Sequence, residues 1–271
     1  MTYLSITPAK LEIQLKPGSS YVQSYIIKNN GDKSVTLYTS IDSWLSKGLD
    51  GDVVYTNSLP DIDISFSNSN LKLGQSFVIE PNKSQQLVVK VQTATDTPVG
   101  DRYLSLFINQ EQSANLSSNS TQLIRLGSHL LISISDSETT TSNFKINNFK
   151  INNPFIDCFF STIKFSGEIT NQSDYFNKID NTILINKSNT IINKLTIFPD
   201  NILAHNSRNI RCLNDKSPIN CQISSPLWPG FYQATTLNQS INFVVLPYSL
   251  IIFLIFIAII TKILYSYSSE K

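Results

Sequence analysis

The sequence predicts an all-β chain of two tandem β-sandwiches followed by one C-terminal transmembrane helix. Three observations carry this reading. Short runs of alternating apolar and polar residues, separated by turn chemistry, fill residues 1–136 and resume through 137–245. No window of useful length before Leu246 shows a helical apolar period. From Leu246 to Tyr265 the chain reads LPYSLIIFLIFIAIITKILY, about 20 residues, which at ~1.5 Å per residue spans ~30 Å of hydrocarbon.

The first domain is read strand by strand. Lys10–Lys16 alternates strictly and places Leu11, Ile13 and Leu15 on one face, after which Pro17-Gly18 turns the chain. Tyr21–Lys28 is closed by Asn29-Asn30-Gly31-Asp32, a strong turn signal. Ser34–Ser43 follows. Ser84–Thr93 carries Leu87, Val89 and Val91 on one face, Tyr103–Ile108 carries Leu104, Leu106 and Ile108, and His129–Ser135 carries Leu130, Ile132 and Ile134. Between Trp44 and Ser76 the alternation loosens, with Val53-Val54-Tyr55 as one arm of an extra hairpin. Asp50, Asp52, Asp61 and Asp63 lack the spacing of a calcium loop and read as solvated turn acids. Gln110–Gln122 reads as a polar hairpin loop.

The polar run Asp136–Asn143 marks the domain boundary, placed after Asp136. Strands resume at Phe144, and Ser161–Thr170, Asn177–Asn186, Thr190–Ile197, Ser207–Leu213, Phe231–Thr236 and Ser240–Leu246 form the second sandwich. The halves echo each other. Asn29-Asn30-Gly31-Asp32 has a counterpart in Asn171-Gln172-Ser173-Asp174, and Pro98-Val99-Gly100-Asp101-Arg102-Tyr103 has one in Pro229-Gly230-Phe231-Tyr232. Tyr103 and Tyr232 are expected just inside a corner, as before strand F of immunoglobulin-like domains, so both sandwiches are read as immunoglobulin-like. The anchor ends are set at Leu246 and Tyr265, with 266–271 as a short tail. Pro247 costs nothing at a helix entrance, Tyr248, Tyr265 and Tyr267 suit the headgroup layer, and Lys262 can snorkel.

Composition narrows the function. Net charge is +1 and 15% of residues are charged, with no basic stripe, so nucleic acid is excluded as a partner. The cysteines are Cys158, Cys212 and Cys221, without a CxxC pair, and the histidines His129 and His205 lie far apart. No metal site or cofactor is expected. Cys212 and Cys221 bracket a turn, either as a disulfide worth about 2–3 kcal/mol or as two thiols on neighbouring strands. Neither histidine sits in a nucleophile motif and no Gly-rich phosphate loop occurs, so no catalytic residue is assigned and an enzyme is not expected. Trp44 and Tyr55 flank the irregular segment and are the candidates for ligand or partner contact on loops. The alternative for Trp44 is that it closes the end of the core. Trp228 reads as packing.

Met1–Ile13 has neither a basic n-region nor an apolar h-region. That leaves two readings, a start set too late or a cytosolic tail-anchored protein. Between Cys221 and the anchor no Lys or Arg occurs, whereas Lys262 and Lys271 lie beyond its apolar centre. This favours a cell-membrane protein with its domains outside and a short cytoplasmic tail.

Taken together, SITPAKLEIQLKPGSSYVQSYIIKNNGDKS, FVIEPNKSQQLVVKV and DTPVGDRYLSLFI resemble the N-terminal domain of bacterial WxL-interacting cell-surface proteins. FPDNILAHNSRNI with PLWPGFY and a following membrane helix is similar to their second domain and anchor. The resemblance implies a first domain that binds peptidoglycan and a second that binds a surface partner. The expectation is a non-enzymatic surface protein that binds cell-wall polymer or another surface protein. The alternatives are a cytosolic tether resembling major-sperm-protein domains and, further off, a carbohydrate-active enzyme.

Overall fold

The structure is a computed structural model that describes residues 3–56, 58, 61–68, 70–111, 124–137 and 141–269, with backbone only for 266–269. Most of the Gln110–Gln122 loop lies outside the described residues. The chain divides into two compact units, Met1–Ser142 with Ser173–Phe176, and Asn143–Gln172 with Asn177–Lys271. The division falls inside the polar run, at Ser142/Asn143 rather than directly after Asp136.

The first unit contains β1 (Leu4–Thr7), β2 (Lys10–Leu15), β3 (Ser20–Asn29), β4 (Val35–Lys47), β5 (Asp52–Thr56), β6 (Asp63–Phe66), β7 (Phe77–Ile79), β8 (Ser84–Gln92), β9 (Gly100–Gln110) and β10 (Arg125–Ile134). One sheet runs β1-β3-β8-β6. The other, six-stranded, runs β2-β10-β9-β4-β5, with β7 also pairing β4. The chain changes sheets at Pro8, which has no N–H to give a ladder. Alternation fixes the interior. Leu104, Leu106 and Ile108 of β9 and Leu130, Ile132 and Ile134 of β10 face Leu87, Val89 and Val91 of β8 in one buried cluster.

The second unit contains β11 (Phe144–Ile151), β12 (Phe155–Asp157), β13 (Thr162–Asn171), β14 (Asn177–Lys178), β15 (Thr182–Lys187), β16 (Thr190–Thr196), β17 (Asn201–Ile202), β18 (Ser207–Asn209), β19 (Cys212–Asn214), β20 (Ser217–Ile219), β21 (Gln222–Ser224), β22 (Gly230–Thr236), β23 (Gln239–Leu246) and α1 (Tyr248–Ser269). A sheet of β11-β13-β18, with β21 on β13, faces a sheet of β12-β23-β22-β15-β16. Both sandwiches are immunoglobulin-like, and among the described residues the chain is all-β up to one apolar helix.

Two expected strands are broken. The run Asn177–Asn186 splits into β14, which pairs β17, and β15, which pairs β16 and β22. Between them the Asn181 side chain accepts the N–H of the next residue, Thr182, at 2.6 Å, where the second ladder begins. Ser207–Leu213 likewise splits into β18 and β19, which serve different partners.

The echo between the halves has a physical basis in two buried asparagines. Asn29 ends β3 and Asn171 ends β13, and both are 0% exposed. The Asn29 amide donates to the carbonyls of Lys33, Ile79 and Glu80, and that of Asn171 donates to Ile202 and Leu203. Each therefore pins the turn that precedes a strand of the same sheet. Those turns match as well: Lys83 N–H bonds Glu80 and Asn206 N–H bonds Leu203, both at 3.1 Å, with Asn82 and His205 at positive φ. A buried amide that satisfies several carbonyls leaves them unpaired when removed, so these positions resist substitution.

The helix starts at Tyr248, not at Leu246. Leu246 is the last residue of β23, opposite Asp157, and its carbonyl accepts the Cys158 N–H at 3.2 Å. Pro247 then takes the entry position, and its carbonyl accepts the first helical bond from Ile251. The helix also runs past Tyr265 to Ser269, so most of the expected tail is helical. The stretch Tyr248–Tyr265 is long and apolar enough to cross a membrane, and none of it is buried in the protein.

Candidate functional site

The outer face of the six-stranded sheet in the first unit carries a cluster of aromatic side chains. Because Leu37 and Ile41 of β4 face the core, alternation turns Asp42 and Trp44 outward. The same rule turns Tyr103, Ser105 and Phe107 of β9 and Arg125, Gly127 and His129 of β10 to that side. Register lines them up: Ser105 lies opposite Asp42 on one flank and His129 on the other, and Phe107 lies opposite Ser40 and Gly127.

The rings form two contact groups side by side on this face. Trp44 lies 5.3 Å from Tyr103 and meets His129 edge-on at 5.3 Å, while its indole N–H donates to the Leu104 carbonyl at 2.9 Å. Tyr55, directly across from Trp44 on β5, meets Phe107 edge-on at 5.2 Å. The Arg125 guanidinium sits 3.5 Å above the Phe107 ring, and its charge is paired with Asp42. Gly127 is required beneath that ring, because a Cβ there would come within 2.8 Å of a Phe107 ring carbon.

Both sequence candidates therefore lie elsewhere than on loops. Trp44 and Tyr55 are cross-strand partners on paired strands. Trp44 is 7% exposed and packs on the outer face, so it does not close the end of the sandwich core; Tyr55 is 42% exposed. Sequence reasoning did not group Tyr103, Phe107, His129 and Arg125 with them, and it expected Tyr103 inside a corner. The signal was available in β9, where Tyr103 and Phe107 sit on the face opposite Leu104, Leu106 and Ile108.

Beside Trp44 a cleft of about 350 Å³ is lined by Ser43, Thr56, Ser58, Asp61 and Arg102, among others. Arg102 grips both oxygens of Asp61, at 2.5 and 2.6 Å. Those hydrogen bonds, opposed by partial burial, hold the Asp61 carboxyl below the usual carboxylate range. Asp101, one residue before Arg102, behaves oppositely. Burial pushes it up, although Tyr103 and Ser133 each donate to it at 2.6 Å. The signs decide the pH response. Asp61 adds stability above its unfolded pKa that is lost as pH falls through its lower folded value. Asp101 adds stability below its unfolded pKa that is lost as pH rises through its higher folded value. Asp101→Asn should therefore remove a loss of stability that comes with rising pH, so that the variant's melting temperature gains on the parent's from the acid side of the carboxylate range to neutrality. Thermal melts across that range check this, and a variant that loses ground to the parent would be the wrong sign.

His129 Nδ1 lies 2.8 Å from Ser105 Oγ, but the pair does not make a nucleophile. Ser105 is 0% exposed, so no substrate reaches it. Burial, with Lys10 nearby, lowers the His129 pKa and disfavours the charged ring. Among the described residues no group of three or more His, Cys, Asp or Glu side chains is placed to hold a metal ion.

In the second unit Cys212 and Cys221 are joined in a disulfide. Cys158 is free and buried, and burial raises its thiol pKa. Tyr232, unlike Tyr103, turns inward, and its hydroxyl donates to the Trp228 carbonyl at 2.5 Å, the tyrosine-corner bond. Trp228 itself is 75% exposed, so it does not pack as the sequence suggested. A broad groove of about 810 Å³ between Asp180–Leu184 and Thr235–Ser240 is lined by amides and hydroxyls, with Asp180 as its one ionisable group.

No family model and no curated protein matches the chain. Among solved structures it is similar to the class 5 fimbriae chaperone CfaA, at 10% identity over 90% of this chain and 100% of that one, with a TM-score of 0.44. It is similar to the Escherichia coli chaperone DraB at 11% identity, over 90% of this chain and 97% of that one, with a TM-score of 0.42. The CsuC–CsuE chaperone–tip subunit pre-assembly complex of Acinetobacter baumannii matches at 9% identity, over 80% of this chain and 93% of that one, with a TM-score of 0.41.

Proposed function

We propose that the chain is a non-enzymatic, single-pass membrane protein of the cell surface. In this reading α1 holds it in the bilayer, with both sandwiches outside. The first unit takes cell-wall polymer or another surface protein on its aromatic outer face, in line with the resemblance to WxL-interacting proteins. The observation that carries the reading is α1 itself. Every side chain from Leu250 to Tyr265 is exposed, and an apolar surface of that length needs a hydrocarbon solvent. The outer face supports the binding half. Aromatic rings with an interleaved arginine are the side chains that dominate binding energy at protein surfaces, because they bury large area at small entropy cost. The cleft beside them is within the size range of small-ligand sites, and its hydroxyls and ion pair suit a polar ligand.

The test uses the full chain in detergent, immobilised and exposed to purified wall polymer and to an envelope extract. Tyr55→Ala removes the exposed ring and leaves the core intact. It should weaken capture by about 2 kcal/mol, roughly 30-fold, the scale of a binding hot spot. Unchanged capture by a normally melting variant would remove the outer face from the proposal.

A further inference from the structure

We infer that the end of the second unit from which α1 leaves is itself a membrane contact, a girdle of exposed aromatic side chains that seats the sandwich on the headgroup layer of a lipid bilayer. This rests on the reading of α1 as a membrane span and extends it. Phe155, Phe159, Phe160, Leu227, Trp228 and Phe231 are between 50% and 86% exposed, a concentration of large apolar surface that a soluble end would not carry.

Strand register puts Phe155 and Phe231 at one level. Phe155 of β12 and Phe231 of β22 both lie directly opposite Val244 of β23, one on each side, and directly opposed residues share a face. Val244 precedes Pro247 by three residues, ~10 Å along a strand at ~3.3 Å per residue. Apolar side chains of interfacial elements reach ~5–10 Å into the headgroup boundary. The row is therefore within reach of the bilayer once α1 is inserted. Phe159 and Phe160 stand closer still: with Ser249, Leu250 and Phe253 of the first helical turns they line a concavity of about 650 Å³. Continuity with the helix is what commits this surface to lipid.

One carboxylate ties the girdle to the helix. Asp157, 2% exposed, accepts the Ser249 N–H at 2.8 Å with one oxygen. With the other it accepts the N–H groups of Phe159 at 2.8 Å and Phe160 at 3.2 Å. An anion at a helix N-terminus satisfies an orphan donor and faces the positive end of the dipole. Here the same anion shapes the loop that presents the two rings, so helix and girdle are held as one piece.

The two tryptophans of the chain allow a direct reading. In a Trp44→Phe background Trp228 is the sole indole. The full chain is reconstituted into phosphatidylcholine vesicles whose acyl chains carry bromine either near the carbonyl end or near the terminal methyl. Trp228 emission should shift to the blue and be mostly lost with shallow bromine, and persist with deep bromine. Phe155→Ser with Phe159→Ser and Phe160→Ser, all surface changes, should leave the chain floating with the vesicles but abolish the shallow quenching. A floating chain whose Trp228 is unquenched at either depth would overturn the inference and assign that end to a protein contact. Shallow quenching that survives the triple substitution would overturn the role of the phenylalanines. A chain that does not float at all would overturn the reading of α1 and this inference with it.

Discussion

Ile132→Ala should lower the stability of the first unit by about 2–5 kcal/mol and leave the second unit's transition in place. Ile132 is 0% exposed and sits in β10, with β2 on one side and β9 on the other. Truncation there removes apolar contacts on three fronts, and the pinned β-ladders leave the neighbours little freedom to collapse into the space. For a domain of this size the loss corresponds to a drop in melting temperature on the order of 10 °C. Ile183→Ala is the mirror experiment, since Ile183 is also 0% exposed and belongs to the separate core of the second unit. Calorimetry of the two variants should shift one transition each. A single transition that moves equally in both would show that the two units unfold as one.

That separation was legible in the sequence because a sandwich core writes itself as period-two alternation. The inward sets Leu104/Leu106/Ile108 and Leu130/Ile132/Ile134 could be read directly, and so could the polar run where the units part. What alternation cannot show is how an apparently continuous run is shared among partners. Asn177–Asn186 reads as one strand, and only tertiary pairing reveals that β14 and β15 serve different sheets.

The aromatic face was half legible. Trp44 and Tyr55 stood out as large rings in an irregular stretch, and irregularity suggested loops. The structure extends β4 through Trp44 to Lys47 and folds β5 back on it, because Gly48 and Gly51 take the positive φ that the connecting turn requires. Phe107 was passed over because its strand was read for its core face alone, and Tyr103 was expected inside a corner, whereas it lies on the outer face against Trp44. The Asn29 and Asn171 repeat was visible as a turn signal, whereas its purpose, an amide buried against distant carbonyls, depends on contacts 31 to 51 residues away in sequence.

Replacing Ile255 and Phe256 with arginine should release the chain from the membrane. Both lie near the centre of Tyr248–Tyr265, and both are exposed. Each arginine at the middle of a span costs about 2.5–3.5 kcal/mol, and each lost apolar residue forgoes a further ~0.3–0.6. Together the changes cancel roughly as much as the apolar stretch of α1 supplies for insertion. Alkaline carbonate extraction reads the outcome: the native chain should stay with the membrane pellet and the variant should move to the supernatant. Neither core is touched, so both units should melt as before. Protease added to intact cells, or to protoplasts where a wall is present, completes the test, because the native chain should lose both sandwiches if they lie outside. Full protection until the membrane is broken would place them inside. A double-arginine variant that still pellets after carbonate would mean that the chain is held at the membrane by something other than α1.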